Sequence, residues 1–321
     1  MIDNILIFIF SCIALVISAE LLVKALTKIA FYLRLTEFAV GFMVVALATS
    51  IPELFIGITS ALKGTPELSL GNVIGANIMD LTLIIGIVAL IRKGITIETK
   101  TVRTDTLYMF VITLLPLILM LDMEISKFDG FILLAAFFLY AARILRQERR
   151  FKDIINNVPR KTFLISITIA VASLVTLLIS ANFVSQSATT LAAQFMLPPI
   201  IIGLFIISIG TTLPELTFET TAVLSKHRYM AFGDLLGSVV ANSTLVLGVT
   251  AIIHPISANF LLFITSATFM VVFSFLFMTF VESEKKITVH EGIALIMVYI
   301  LFVVVMFNMQ FMGTISLNAP L

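Results

Sequence analysis

The chain is nearly devoid of cysteine, histidine and tryptophan, and it carries little charge. With one cysteine, Cys12, in 321 residues there is no disulfide framework, and no Cys/His set exists for a zinc site. The three histidines, His227, His254 and His290, all fall at loops or at the ends of apolar runs, where they read as interfacial. Charged residues make up 12% of the chain, and 20 Lys and Arg nearly balance 19 Asp and Glu, so no basic field for nucleic acid is expected. An intramembrane enzyme would need a nucleophile with a base, or a metal cluster, and no His or Cys accompanies the buried acids described below. What is abundant is apolar sequence. Hydrophobic residues are 60% of the chain and the mean hydropathy is +1.15, values of a polytopic helical membrane protein.

At roughly 20 residues per span, ten apolar stretches can be marked, near 4–31, 36–62, 69–91, 104–121, 128–145, 163–190, 198–224, 231–253, 258–281 and 289–312. The N-terminal MIDNILIFIF lacks the basic segment and small-residue cleavage site of a signal peptide, so it reads as the start of a retained span. With the N-terminus outside, Lys63 and Lys127 are the only basic residues of the 20 to fall on the outer side. This bias predicts a cell-membrane, multi-pass protein with both termini extracellular. The basic segment 143–161, RILRQERRFKDIINNVPRK, would then be a cytoplasmic loop between a first half, 1–142, and a second, 162–321.

The two halves match at a constant offset of 162 residues, from Glu53 to Glu215. Gly41, Thr49, Pro52, Leu54, Gly71, Gly75, Thr82 and Gly86 recur as Gly203, Thr211, Pro214, Leu216, Gly233, Gly237, Thr244 and Gly248. The register persists to Asp129-Gly130 against Glu291-Gly292. Five spans per half is an odd number, so the second copy must enter the membrane upside down. The expected fold class is therefore all-α, ten transmembrane helices arranged as two inverted five-helix repeats. In that architecture, sites form at broken helices near the midplane.

Each repeat carries a carboxylate where the bilayer makes one expensive, which is the mark of ion traffic. On a helix Thr49 and Ser50 precede Glu53 by four and three residues, so two hydroxyls and a carboxylate can share a face. Thr211, Thr212 and Glu215 repeat the device. Pro52 and Pro214 donate no backbone hydrogen bond, so carbonyls such as those of Ala46 or Ala48 are expected to be freed toward an ion, with Ser208 matching Ala46. The alternative is an ordinary proline kink with hydroxyls bonded to their own helix, and the duplication argues against it. The second segments, GNVIGANIMDLTLIIG (71–86) and GDLLGSVVANSTLVLG (233–248), pair glycines four residues apart for close helix approach. Asp80 and Asn242 are equivalent there and can both supply oxygen, with Ser238 one turn earlier on the same face.

The paired motifs ATSIPE with GNVIGANIMD, and GTTLPE with GDLLGSVVAN, resemble the alpha-1 and alpha-2 repeats (41–86 and 203–248) of the sodium/calcium exchanger family, within the cation/calcium antiporter superfamily. The resemblance covers the whole chain. It implies an antiporter that exchanges Na⁺ for Ca²⁺ by alternating access, needs no cofactor and works in the lipid bilayer, and a monomer is the expected state. It implies that Glu53 and Glu215 are the central Ca²⁺ ligands. Thr49, Ser50, Asp80, Thr211, Thr212, Ser238 and Asn242 would complete the calcium and sodium sites, and Ala46 and Ser208 would coordinate through backbone carbonyls. Spans 1 and 6 would slide to alternate access. The chain departs from the pattern at several points. The family commonly has Asn in the first repeat and Asp in the second where this chain has Asp80 and Asn242. Ala48 replaces the usual Gly, Thr212 replaces a common Ser, Asp234 stands where Asn72 shows the usual Asn, and Glu219 is an extra acid.

If Glu53, Asp80 and Glu215 are ionised, the site holds about −3, becoming −1 with one Ca²⁺ and zero with three Na⁺. Either load is tolerable in an apolar span and the bare site is not, which discourages an empty carrier from crossing. Proton- or K⁺-coupled calcium antiport is the alternative, although the Gly-Asn-Ala-x-Glu pattern of proton-driven relatives is missing. A cation channel fits the paired broken helices less well. Glu20 and Lys24, four residues apart, are expected to pair on one helix face.

Overall fold

The computed structural model describes residues 2–32, 40–96, 100–148, 158–194, 198–224, 226–283 and 286–317. Its elements occur in the same order twice, except that two helices of the first half correspond to one of the second. In the first half they are α1 (Ile2–Tyr32), a π-helical turn at Val40–Val45, α2 (Ala46–Thr49), α3 (Ile51–Leu62), α4 (Glu67–Met79), a π-helical turn at Asp80–Ile84, α5 (Ile85–Arg92), β1 (Ile95–Thr96), α6 (Lys100–Leu119), β2 (Glu124–Ile125) and α7 (Lys127–Glu148). The second half has α8 (Arg160–Gln194), a π-helical turn at Ile202–Ile207, α9 (Ser208–Leu224), α10 (Arg228–Ala241), a π-helical turn at Asn242–Val246, α11 (Leu247–Ile253), β3 (Ile256–Ser257), α12 (Phe260–Ser283), β4 (Lys286–Ile287) and α13 (Val289–Leu317). All four π-helical turns obey the same offset as the sequence motifs.

Among the described residues, 8 helical stretches are long and apolar enough to cross a membrane. A ninth span is broken, with Gly41–Thr49 and Ile51–Leu62 meeting at 44°. The expected first span, 4–31, lies within the single helix α1, but only Asn4–Ala14 is strongly apolar before Glu20 and Lys24 intervene. Those two residues form the expected ion pair. At 31 and 35 residues, α1 and α8 would be about 46 and 52 Å long at 1.5 Å per residue. The hydrocarbon core is about 30 Å thick, so each helix exceeds one crossing and must tilt or project beyond it. They pack along one another and leave Phe10, Ile13, Val171 and Val175 on the outside.

The helices carrying Asn, Asp, Ser and Gly, α4 and α10, are the most enclosed, with every residue from Leu68 to Met79 and from Met230 to Ala241 buried. The two halves interleave: α4 crosses the turn Ile202–Ile207, and α10 crosses Val40–Val45. Glycine makes this crossing possible, because a methyl group on Gly75 would overlap the carbonyl oxygen of Leu204 and one on Gly237 would lie 2.5 Å from the Ala46 side chain. We therefore expect Gly75→Leu to prevent recovery of a monodisperse protein on size exclusion in detergent, whereas Ile179→Leu on the lipid face is recovered normally.

The halves are also stitched at the span ends. β1 pairs antiparallel with β4 (Ile95 opposite Ile287) and β2 with β3 (Ile125 opposite Ile256). Each pair feeds a capped helix. Asp129 accepts from the Ser126 amide at 2.9 Å while the Ser126 hydroxyl receives the Asp129 amide at 3.2 Å, and Thr288 with Glu291 repeats this at 2.6 and 3.3 Å. Segment 143–161, expected as a loop, is helical at its start. Arg143 to Glu148 continue α7, since Arg, Leu, Gln and Glu are good helix formers. Arg143 pairs with buried Asp105 and lies 3.8 Å over the Tyr108 ring. Residues 149–157 lie outside the described residues, and α8 begins at Arg160.

Candidate ion-binding site

Glu53 lies in the first turn of α3, just after the break, and Glu215 lies within α9. They are 0% and 1% exposed, Asp80 is 0% exposed, and all six carboxylate oxygens lack a hydrogen-bond partner within the protein. The Thr211 hydroxyl approaches Glu53. Its hydrogen bonds nevertheless run elsewhere, to Asn72 Oδ1 at 3.2 Å and the Ser208 carbonyl at 3.3 Å. Thr49 mirrors this across the pseudo-axis. It donates toward Asp234 Oδ1 and the Ala46 carbonyl, each at 3.3 Å, and meets the Ser238 hydroxyl at 3.3 Å. Each threonine thus ties its own half to the other.

The two proline motifs differ in shape. Thr49 closes α2 and Ser50 occupies the bend, so the expected single face from Thr49 to Glu53 is divided between two helices. Ser50 is 2% exposed and its hydroxyl has no partner. In the second half α9 runs continuously through Pro214, where the Thr212 hydroxyl bonds the Ser208 carbonyl at 2.6 Å. Of the carbonyls expected to be freed, that of Ala48 loses its amide partner and that of Ala46 does not. Proline removes the amides that would reach Ala48 and Gly210, while the Ala46 carbonyl accepts the Ser50 amide at 2.9 Å and Ser208 accepts both threonines. A hydroxyl that gives its proton to a carbonyl keeps its lone pairs for a cation, which is the state of Thr212 on Ser208, while Thr49 and Thr211 each divide one proton between a carbonyl and a side chain of the other half.

Asp80 and Asn242 each open a π-helical turn, the kind of irregularity that recurs at functional sites. Asp80 is within electrostatic range of Glu53 and Asp234, and Glu215 of Glu53, Asp80 and Asp234. Asn242 donates to Asn77 Oδ1 at 3.3 Å, and Asn77 donates to the Ser243 hydroxyl at 2.8 Å. Asn77 had not been singled out in the sequence, although an amide three residues before Asp80 in an apolar run was the available signal. Among the described residues, no three acids, histidines or cysteines are grouped so as to hold a metal ion by themselves. A cation here needs hydroxyl, amide or carbonyl oxygen as well, and the Thr211 hydroxyl beside Glu53 is a group of that kind.

Fold and motif together define a duplicated helical membrane protein with acids buried in its interior. The chain belongs to the sodium/calcium exchanger protein family, of the cation/calcium antiporter superfamily, matching it over residues 4–146 and 165–308. It is 30% identical to the protein CaxA of Alkalimonas amylolytica over 249 residues, 75% of this chain and 78% of that one. It is 28% identical to the sodium/calcium exchanger MaX1 of Methanosarcina acetivorans over 346 residues, covering 95% and 98% of the two chains. Its fold is similar to that of the sodium-calcium exchanger NCX_Mj soaked with Na⁺ and Sr²⁺, with a TM-score of 0.76 at 24% identity, over 94% of this chain and 97% of that one.

Proposed function

We propose that this protein exchanges Na⁺ for Ca²⁺ across the cell membrane by alternating access. The observation that carries the reading is the pair of buried, unpartnered glutamates, Glu53 and Glu215, at equivalent positions of two interleaved halves. Unpaired carboxylates in an apolar span are costly, and a bound cation offsets that cost. In this reading Glu53 and Glu215 grip Ca²⁺ centrally. Asp80 and Asn242 approach from the two π-helical turns, and Thr49, Ser50, Thr211, Thr212, Ser238 and the carbonyls of Ala46 and Ser208 complete the calcium and sodium positions. Family membership supports antiport, and MaX1, matched over 98% of its own chain, is named a sodium/calcium exchanger.

The same reading takes the molecule as ten spans in two inverted repeats, 1–142 and 162–321, joined through 143–161 on the cytoplasmic side, with both termini outside. One chain contains both halves of the cage, which supports a working monomer. The long helices α1 and α8, packed along one another, are suited to slide and expose the cage to either side. The test is Ca²⁺ uptake into liposomes containing the purified protein, with the internal cation set to Na⁺, K⁺ or H⁺. Internal Na⁺ is expected to drive uptake and to be exhausted with it. Uptake driven by a proton gradient alone, or by no internal cation, would overturn Na⁺ coupling.

A further inference from the structure

Two acids remain outside that cage. Glu219 and Asp234 are 1% and 0% exposed; both Glu219 oxygens and Asp234 Oδ2 have no partner, while Asp234 Oδ1 is held by the Thr49 hydroxyl at 3.3 Å. Glu219 lies within electrostatic range of Asp234 and Asp80, and among the described residues the ion pairs engage other acids. The internal repeat supplies a control for this niche. At the same offset Glu219 corresponds to Gly57 and Asp234 to Asn72. A side chain at Gly57 is excluded because its Cβ would overlap the Thr250 hydroxyl, which bonds Ser69 at 3.1 Å. The counterparts of Thr250 and Ser69 are Val88 and Ala231, which carry no hydroxyl. The first half closes this niche with a neutral hydroxyl pair, whereas the second half opens it to the Glu219 carboxylate, and Asp234 adds another from the adjacent helix α10.

We propose that Glu219 and Asp234 hold a second Ca²⁺ beside the central cage, with Thr49 as the link between the two sites. The identity of the ion rests on the exchange reading above; the existence of the site does not. Three free carboxylate oxygens make a hard-oxygen site to which backbone carbonyls or water add the remaining ligands. A charge of −2 is matched by one divalent ion at one position, whereas two monovalent ions in the same niche would repel each other. Thr49 bonds Asp234 on one side and meets Ser238 on the other, so an ion drawing on Asp234 changes the hydroxyl available to the central cage.

The experiment is equilibrium dialysis of the purified full-length protein against ⁴⁵Ca²⁺ in Na⁺-free detergent buffer. Wild type is expected to hold about two Ca²⁺ per chain, and both the Glu219→Gln/Asp234→Asn and Glu53→Gln/Glu215→Gln variants about one. Asp234→Asn alone installs the residue that the first half carries at Asn72, so it guards against misfolding, and it too should hold about one. Wild-type binding by Glu219→Gln/Asp234→Asn overturns the second site. Unchanged binding by Glu53→Gln/Glu215→Gln, with loss in the other variants, overturns the central cage and leaves the second site standing.

Discussion

Glu53→Gln and Glu215→Gln should each reduce initial Na⁺-driven Ca²⁺ uptake by about 100-fold or more, with the folded protein fully recovered. Two unit charges 4 Å apart interact by about 4 kcal/mol at an effective dielectric of 20, and a divalent ion doubles this. Losing even part of that attraction exceeds the about 2.7 kcal/mol that a 100-fold change represents. The substitution preserves shape and hydrogen-bonding length. It also removes an unpaired buried charge, which is a burden on the fold in the absence of a cation. The melting temperature in ion-free buffer should therefore be unchanged or higher in both variants. That separates loss of binding from loss of structure. Wild-type uptake by either variant would remove it from the cage, and a lower melting temperature would show that the glutamate is structural.

Much of this arrangement was legible in the chain because the repeat is exact in register. Helical spans, the central pairing of Thr-Ser-Ile-Pro-Glu with Thr-Thr-Leu-Pro-Glu, and the equivalence of Asp80 with Asn242 all follow from local pattern and one offset. What the pattern could not convey is set by contacts between halves. The partners of Thr49 and Thr211 are Asp234 and Asn72, on helices far away in sequence, so the pattern marks Asp234 as a departure from the usual asparagine without showing its bond to Thr49. Both motifs contain proline, yet only the first bends. The Thr212 hydroxyl bonds the Ser208 carbonyl and α9 stays continuous, while the Ser50 hydroxyl makes no such bond. The π-helical turns and the pairing of β1 with β4 arise where the halves interlock, and no single segment specifies them. Hydropathy likewise marks where α7 should leave the membrane but not that its helix continues to Glu148.

Asp80→Asn alone should lower Ca²⁺ uptake severely, and adding Asn242→Asp should restore a large part of it. The single change takes the proposed cage from about −3 to −2, weakening its hold on a divalent ion more than on sodium. The double change returns the charge from the opposite half. Asp80 and Asn242 open equivalent π-helical turns and are 0% and 1% exposed, so a carboxylate at either position faces a similar interior. The local networks differ, however. Both Asp80 oxygens are unpartnered, whereas Asn242 donates to Asn77, which in turn donates to Ser243. A carboxylate at position 242 cannot donate, so Asn77 must turn its amide toward it and Ser243 must become the donor. Both exchanges are available to these groups, since an amide can flip and a hydroxyl can give or accept. Initial uptake by wild type, Asp80→Asn and the double variant under one Na⁺ gradient decides the matter, with the double variant expected between the other two. If it is no better than Asp80→Asn, charge is not interchangeable across the pseudo-axis. The Asn242–Asn77–Ser243 chain would then be what fixes the carboxylate to the first half.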